Sequence, residues 1–403
     1  MSVLRIAVIG AGARAQAHLT TIRKMADKFT LCAIADADGQ RAREVAERYQ
    51  VKGYTDALEM MDAERPEVVF IVVPPDGHHF LTEQAAMRGC HIICETPIAT
   101  TLPCADYMIA AAQRYGVKLE VAENVWRFPT ERLKKQIIDA GLIGKVTQVH
   151  LWYTSGSYHG MNAMRTHIGA QARRVRGFTA EFPCAPHGEL INYELGLIDF
   201  ENGALGVYQL PSRRERGNYW EIEGTAGQII GSDLFLYDAN GKRVRYPFEI
   251  EYEEITSPSP LLDKEGQGEV IKVLARIKVN TDPPIVWENP FKQYHTMDID
   301  DVARADQLMS IYRAVTENIE PDYGALNARH DQEILIALRE SARQNGVPIE
   351  LPLTGITEHE QRIHEMYRQK YGHDPLDHAA AAARKLYPRI GVPQTIGRSP
   401  LGL

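Results

Sequence analysis

A short β-branched run, Leu4–Ile9, ends at Gly10-Ala11-Gly12-Ala13-Arg14-Ala15, and helical periodicity starts directly behind it. Few junctions constrain a fold as tightly. Gly10 permits the turn, Gly12 lets the backbone approach a pyrophosphate, and Ala15 fills the small-residue position where helix meets strand. A helix opening here presents free N–H groups and the positive end of its dipole to a phosphate. The next strand-like run ends at Asp36, 24 residues past Gly12, where a carboxylate can accept from both hydroxyls of a ribose. Its charge repels a 2′-phosphate, so the pattern predicts NAD rather than NADP. Arg41 and Arg43 lie close enough in sequence to oppose that preference, and otherwise read as a solvated helix face.

Further apolar runs at 30–35, 68–73, 91–94 and 118–121 alternate with helical patterns at about 41–49, 80–88 and 102–114. Strands apolar on both faces, separated by helices, mean a parallel sheet covered on both sides. Residues 1–125 therefore read as an α/β Rossmann domain, a doubly wound parallel sheet that binds NAD. From Gly144 the pattern changes to seven strand-like runs, with Asn202-Gly203 and Asn240-Gly241 as hairpin signals. This predicts a second, α+β domain over 126–353, with an open, mostly antiparallel sheet for substrate and oligomer contacts. Its two late helices, 298–318 and 329–345, pack on that sheet or return to the first domain. Helical patterns at 358–371 and 376–387 make 354–403 a C-terminal helical arm. A chain of 403 residues exceeds the ~250–300 at which one core stops growing, which agrees with this division.

Composition enters mainly by exclusion. The net charge of −8 argues against a nucleic-acid partner or an anionic membrane surface. No run approaches the ~20 apolar residues of a spanning helix. The first residues lack the charged and apolar regions of a signal peptide, so a cytoplasmic protein is expected. Five cysteines without a Cys-x-x-Cys pair make a disulfide framework or a metal site improbable.

The glycine turn, Asp36, Val73-Pro74-Pro75-Asp76-Gly77-His78 and Cys94-Glu95-Thr96-Pro97 occur in an order that resembles the Gfo/Idh/MocA oxidoreductase family, the glucose–fructose oxidoreductase and inositol dehydrogenase group. The segments 138–144, 220–227 and 331–343 fit as well, so the resemblance covers about 3–353. It implies a Rossmann domain followed by an open-sheet domain, and NAD(P)-dependent oxidation or reduction of sugars, cyclitols and related polyols. Gly10, Gly12, Ala13, Arg14, Ala15, Asp36, Pro74, His78, Glu95 and Pro97 are then cofactor-binding candidates, with Pro97 a candidate cis-proline. His78 is read as structural or ribose-proximal. Asn124 and Arg127 are candidates to hold the nicotinamide amide and substrate, and Trp126 to stack on a sugar. Arg127 is equally a candidate salt-bridge partner between domains.

Two departures from the family pattern bear on mechanism. The family usually carries Glu-Lys-Pro where this chain has Glu95-Thr96-Pro97, and a threonine hydroxyl is too weak a base near pH 7. The family's aspartate four residues before a histidine is also missing. In its place stands the segment 155–167, which the resemblance puts against the nicotinamide. Its catalytic candidates are His159 as first choice of proton carrier, Tyr158 to polarise the reacting oxygen, Arg165 to supply the cation Thr96 lacks, and His167. An arginine cluster, 173–176 with Arg213, Arg214 and Arg216, reads as a solvated face or as a site for an anionic substrate.

These readings converge on an NAD-dependent oxidoreductase acting on a sugar, sugar acid or cyclitol. The altered motif leaves a redox-neutral NAD-dependent glycosidase or lyase, and a non-catalytic nucleotide sensor, as alternatives. A homo-oligomer, dimer or tetramer, is expected from the open sheet, with the tail after 353 reaching across to another subunit.

Overall fold

The computed structural model describes residues 2–152, 158–183, 190–210, 219–256 and 270–377. Residues 155–157, Cys184, Arg213, Arg214, Arg216 and most of the helical pattern at 376–387 lie outside the described residues. The chain forms two compact units. One comprises 1–123, 307–340 and the chain from 352 onward; the other comprises 124–306 and 341–351.

The first unit is the Rossmann fold expected from the sequence. Its strands are β1 (Leu4–Ile9), β2 (Phe29–Ala35), β3 (Lys52–Tyr54), β4 (Val68–Ile71), β5 (His91–Cys94) and β6 (Leu119–Val121), all parallel, in the order 3-2-1-4-5-6. Helices α1 (Ala13–Lys24), α2 (Gly39–Tyr49), α3 (Ala57–Glu64), α4 (His78–Met87) and α5 (Leu102–Tyr115) connect them. Burial of both faces explains the apolar runs: Ile6, Val8, Val69 and Phe70 are all fully buried. Each such side chain contributes about 1.5–3 kcal/mol relative to exposure. Asp38 caps α2 and Asp56 caps α3, each accepting two backbone amides. Strand order reverses between β1 and β4, and in such sheets ligands bind outside the carboxyl ends of the strands at that point.

The second unit contains α6 (Pro129–Asp139), β7 (Val146–Trp152), α7 (Met161–Ile168), β8 (Ala172–Pro183), β9 (Leu190–Phe200), β10 (Leu205–Leu210), β11 (Tyr219–Gly224), β12 (Gly227–Ile230), β13 (Asp233–Tyr237), β14 (Arg243–Thr256), β15 (Val270–Val279) and β16 (Ile285–Glu288). The chain continues through α8 (Ile299–Thr316), α9 (Ala325–Arg343), β17 (Ile349–Glu350) and α10 (Glu358–Tyr371). Among the described residues the sheet has eleven strands, antiparallel except for the pair β7–β10. The seven strand-like runs therefore undercount it. The long β9 escapes the period-2 pattern because Gly196 takes an inward position while Leu195 points outward. At the junction flagged by 138–144 and 220–227, a Cβ on Gly224 would lie 2.1 Å from the Ile143 carbonyl oxygen, so only glycine allows this approach.

Two further features matter for the site. The segment 161–168 is helix α7, bounded by Gly160 and Gly169, so Arg165 and His167 sit on a helical frame. The first part of the tail, α10, bonds to residues of the first unit. Among the described residues no helix is long and apolar enough to cross a membrane, and no cluster of His, Cys, Asp and Glu is arranged to hold a metal.

Candidate functional site

At the end of β1, Gly10 has φ +97°, and a Cβ there would lie 2.1 Å from the Val72 carbonyl oxygen. Its amide donates to the Ala35 carbonyl at 2.7 Å, which ties β1 to β2. The Ala11 amide donates to the Asp36 carboxylate, also at 2.7 Å. Gly12 is the N-cap of α1 and supplies no side-chain cap, so the first-turn amides are left for an anion. Ala13 is exposed at the start of that turn, and Ala15 is fully buried where helix meets strand.

Asp36 is buried at the tip of β2. It also accepts from the Asp38 amide at 2.8 Å and from Arg41 at 3.2 and 3.3 Å. Arg41 is therefore not simply a solvated helix face. It leans on the carboxylate assigned to the ribose, while Arg43 is exposed.

A buried charge cluster missed in the sequence adjoins this turn. Glu95, at the end of β5, accepts from Arg14 Nε at 2.8 Å and binds His18 Nε2 at 2.5 Å through one oxygen. Its other oxygen accepts the Thr96 amide at 3.0 Å. Burial pushes the Glu95 carboxyl up, but Arg14 and His18 outweigh it and hold the group well below the usual carboxylate range. Arg14 and His18 lie four residues apart on α1, a spacing that puts both on one helix face and is the signal available in the sequence. Thr96 and Pro97 follow, half-buried and joined by a cis peptide.

His78 is fully buried, and its ring nitrogens lie 3.1 and 3.2 Å from the Pro97 and Ile98 carbonyls and 2.9 Å from that of Val73. It stitches the loop after β4, where Pro74 is half-buried, to the loop after β5. Burial lowers its pKa despite those carbonyls.

In the second unit, the catalytic candidates divide. Tyr158 is buried with its ring edge-on to the half-buried His159. Arg165 donates to Gln171 at 3.1 Å. His167 is 2% exposed, and its Nε2 lies 3.0 Å from one oxygen of Glu131, whose other oxygen accepts Lys134 Nζ at 2.7 Å. Glu131 and Lys134 are equally buried. Their i,i+3 spacing on α6 was legible, but no local pattern connects them to a residue 33 positions past Lys134. Burial raises the Glu131 carboxyl, but Lys134 and His167 outweigh it and leave it lowered. Burial also lowers His167, more than Glu131 raises it, so the imidazole is neutral near pH 7. The Nε2–H then donates to Glu131, and Nδ1 keeps its lone pair with no hydrogen-bond partner among the described residues.

Asn124 donates to Asp300 at 2.7 Å, and Arg127, 1% exposed, pairs with Asp306 at 3.0 Å within the same unit. Trp126 carries the guanidinium groups of Arg127 and Arg132 over its ring at 4.5 and 4.1 Å. The structure thus engages all three with α8 or its arginine partners. Arg174 is committed to Asp199, while Arg173 and Arg176 are exposed on β8.

Residues 4–123 match the model of an oxidoreductase family with an NAD-binding Rossmann fold. The chain is 35% identical to a D-apiose dehydrogenase of Paraburkholderia graminis over 34% of its length and 37% of the relative's. A levoglucosan dehydrogenase of Pseudarthrobacter phenanthrenivorans is 27% identical, over 57% of this chain and 74% of that one. The chain thus spans little more than a third of the first of these relatives. A crystal structure of an NAD-binding oxidoreductase from Klebsiella pneumoniae superposes with a TM-score of 0.66 at 20% identity, covering 87% of this chain and all of that one. That likeness concerns the fold.

Proposed function

We propose, from the match of residues 4–123 to the NAD-binding Rossmann fold of the Gfo/Idh/MocA oxidoreductase family, that the chain is an NAD(H)-dependent oxidoreductase acting on a sugar, sugar acid or cyclitol. The observation that carries the reading is the Gly10–Gly12 turn, packed so closely on Val72 that Gly10 admits no Cβ and braced against Asp36 through the Ala11 amide, beside the uncapped N-terminus of α1. The names of relatives, which include D-apiose, D-glucoside 3-, inositol 2- and levoglucosan dehydrogenases, support a polyhydroxylated substrate.

The α1 amides would hold a pyrophosphate and Asp36 the ribose hydroxyls, while Glu95 fixes the turn into Thr96-Pro97. A bound NAD would supply the hydride chemistry at the substrate's carbinol carbon. This chain supplies the proton chemistry. His167 is the first candidate for proton carrier, because Glu131 holds its Nε2–H and fixes the orientation of the imidazole. A proton taken up at Nδ1 would leave an imidazolium that Glu131 stabilises. Lys134 keeps Glu131 ionised. His159, edge-on to Tyr158, is the second candidate for the same role.

Thr96 in the family's lysine position favours a second reading, a redox-neutral glycosidase that oxidises, eliminates and re-reduces on one bound NAD. Incubation with NAD and a panel of polyols, sugar acids and aryl glycosides separates the two. Net NADH supports the dehydrogenase, and aglycone release without net NADH supports the glycosidase. Tight NAD binding with neither outcome sinks both. The exposed cross-strand pair Phe178 and Leu195 supports the homo-oligomer, which a monomeric mass at micromolar concentration contradicts.

A further inference from the structure

The resemblance in sequence covers about 3–353. Helix α10 lies beyond those residues, and nothing in the proposed reaction uses it. It is nevertheless built into the first unit by specific polar contacts. At its N-terminus, Thr357 and Glu360 form a capping box. Glu360 is fully buried, and while one of its oxygens closes that box, the other accepts the Leu102 amide at 2.8 Å. One carboxylate thus caps two helices, α10 and α5. The Thr101 hydroxyl, at the N-cap of α5, lies 2.9 Å from His364 Nε2. At the far end of α10, Lys370 and Tyr371 both donate to a single oxygen of Asp76 at 2.6 Å. Burial raises the Asp76 carboxyl, but these two partners outweigh it and keep it ionised. Between the ends, Tyr367 is 1% exposed and packs edge-on against His79 of α4.

The positions of these anchors give the helix a role. Asp76 lies in the loop that leaves β4, and Thr101 and Leu102 end the loop that leaves β5 through Glu95-Thr96-Pro97. Both loops stand at the carboxyl ends of the strands, beside the reversal of strand order where ligands of this fold bind. His78 already joins the two loops from within. We infer that α10 is a strap that positions the loops after β4 and β5 for the cofactor, with Asp76, Glu360, Lys370 and Tyr371 as its positioning residues. The inference rests on the NAD reading above. A site whose loops are binding-competent for only part of the time loses apparent affinity by that fraction.

The test uses the full chain with two variants, the double substitution Lys370→Met/Tyr371→Phe and the single Glu360→Gln. NAD affinity is measured by titration calorimetry well below the melting temperature, and amide exchange is followed without NAD. The expected result is about a tenfold rise in the NAD Kd, with faster exchange confined to 74–78, 96–102 and α10. Lys370→Arg, which keeps the cation, stays within about twofold, as does Arg362→Ala on the exposed side of the helix. A purely structural helix would lower the melting temperature and leave the Kd alone. Kd values within about twofold in both variants while α10 exchanges faster overturn the inference. So does an α10 that stays protected in both, since these anchors are claimed to hold it. A wild-type chain that binds no NAD refutes the function proposed above, whereas variants that match a binding wild type refute only the strap.

Discussion

Glu95 in the nucleotide unit and Glu131 in the sheet unit are both buried carboxylates that hold one cation and one histidine, yet they distribute those partners differently. Glu95 places Arg14 and His18 on the same oxygen and gives its other oxygen to the Thr96 backbone. Glu131 gives one oxygen to Lys134 and the other to His167, whose remaining nitrogen has no partner among the described residues. The first arrangement ties side chains to backbone, and it locks a loop. The second spends both carboxylate oxygens on side chains and fixes the His167 ring through Nε2, the arrangement on which the proposed proton carrier rests. The same three kinds of charge therefore make a brace in one unit and a candidate catalyst in the other.

Breaking the second cluster should have the largest effect. Glu131→Gln leaves Lys134 buried without a counter-charge, at a cost of about 3–5 kcal/mol in urea unfolding. It should also lower kcat by about 10²-fold or more on any substrate found in the panel. A loss below 1 kcal/mol would mean that the cluster is not closed by charge. Glu95→Gln should cost less, about 2 kcal/mol, because Arg14 is 39% exposed and partly screened. Its signature is a raised NAD Kd with kcat at saturating NAD nearly unchanged. The sign with pH is fixed, since the folded carboxyl is depressed. The stability gap between wild type and Glu95→Gln is full above the ordinary value of 4.5 and closes as pH falls through the folded value.

Lys134→Met sharpens the contrast more gently. Lys134 is one of the groups that hold the His167 pKa down, so its removal should move the acid limb of the pH profile of kcat/KM upward. In the wild type that limb lies below 6.5, because burial depresses the imidazole. An unmoved limb would assign it to another group. The smallest effect is expected of Arg41→Ala. NAD affinity should change by no more than about threefold, while any affinity for NADP falls by about tenfold as the cation beside the ribose is lost.

The first unit was legible because its information is local. Gly10, Gly12 and Asp36 declare the turn and the strand end within one βαβ unit, and fully buried strands read as continuous apolar runs. The sheet unit was legible as a class but not in detail, because strands such as β9 mix glycine and outward leucine and lose their period. The Glu131–His167 pair was invisible for a different reason. It joins α6 to α7 through tertiary packing, which no spacing within 155–167 reveals. Thr96 was recognised as a departure from the lysine pattern, but only the fold set Arg14 and His18 on the neighbouring glutamate. The role of α10 was hidden too, since an amphipathic helix near the end of a chain carries no mark of what it covers.

The most direct measurement is turnover by His167→Gln at saturating NAD, on the substrate that gives NADH with the wild type. A kcat lower by about 10²-fold or more, with NAD affinity unchanged in calorimetry, is the predicted result. Turnover within tenfold of wild type would contradict it and return the proton to another group, with His159 next in line.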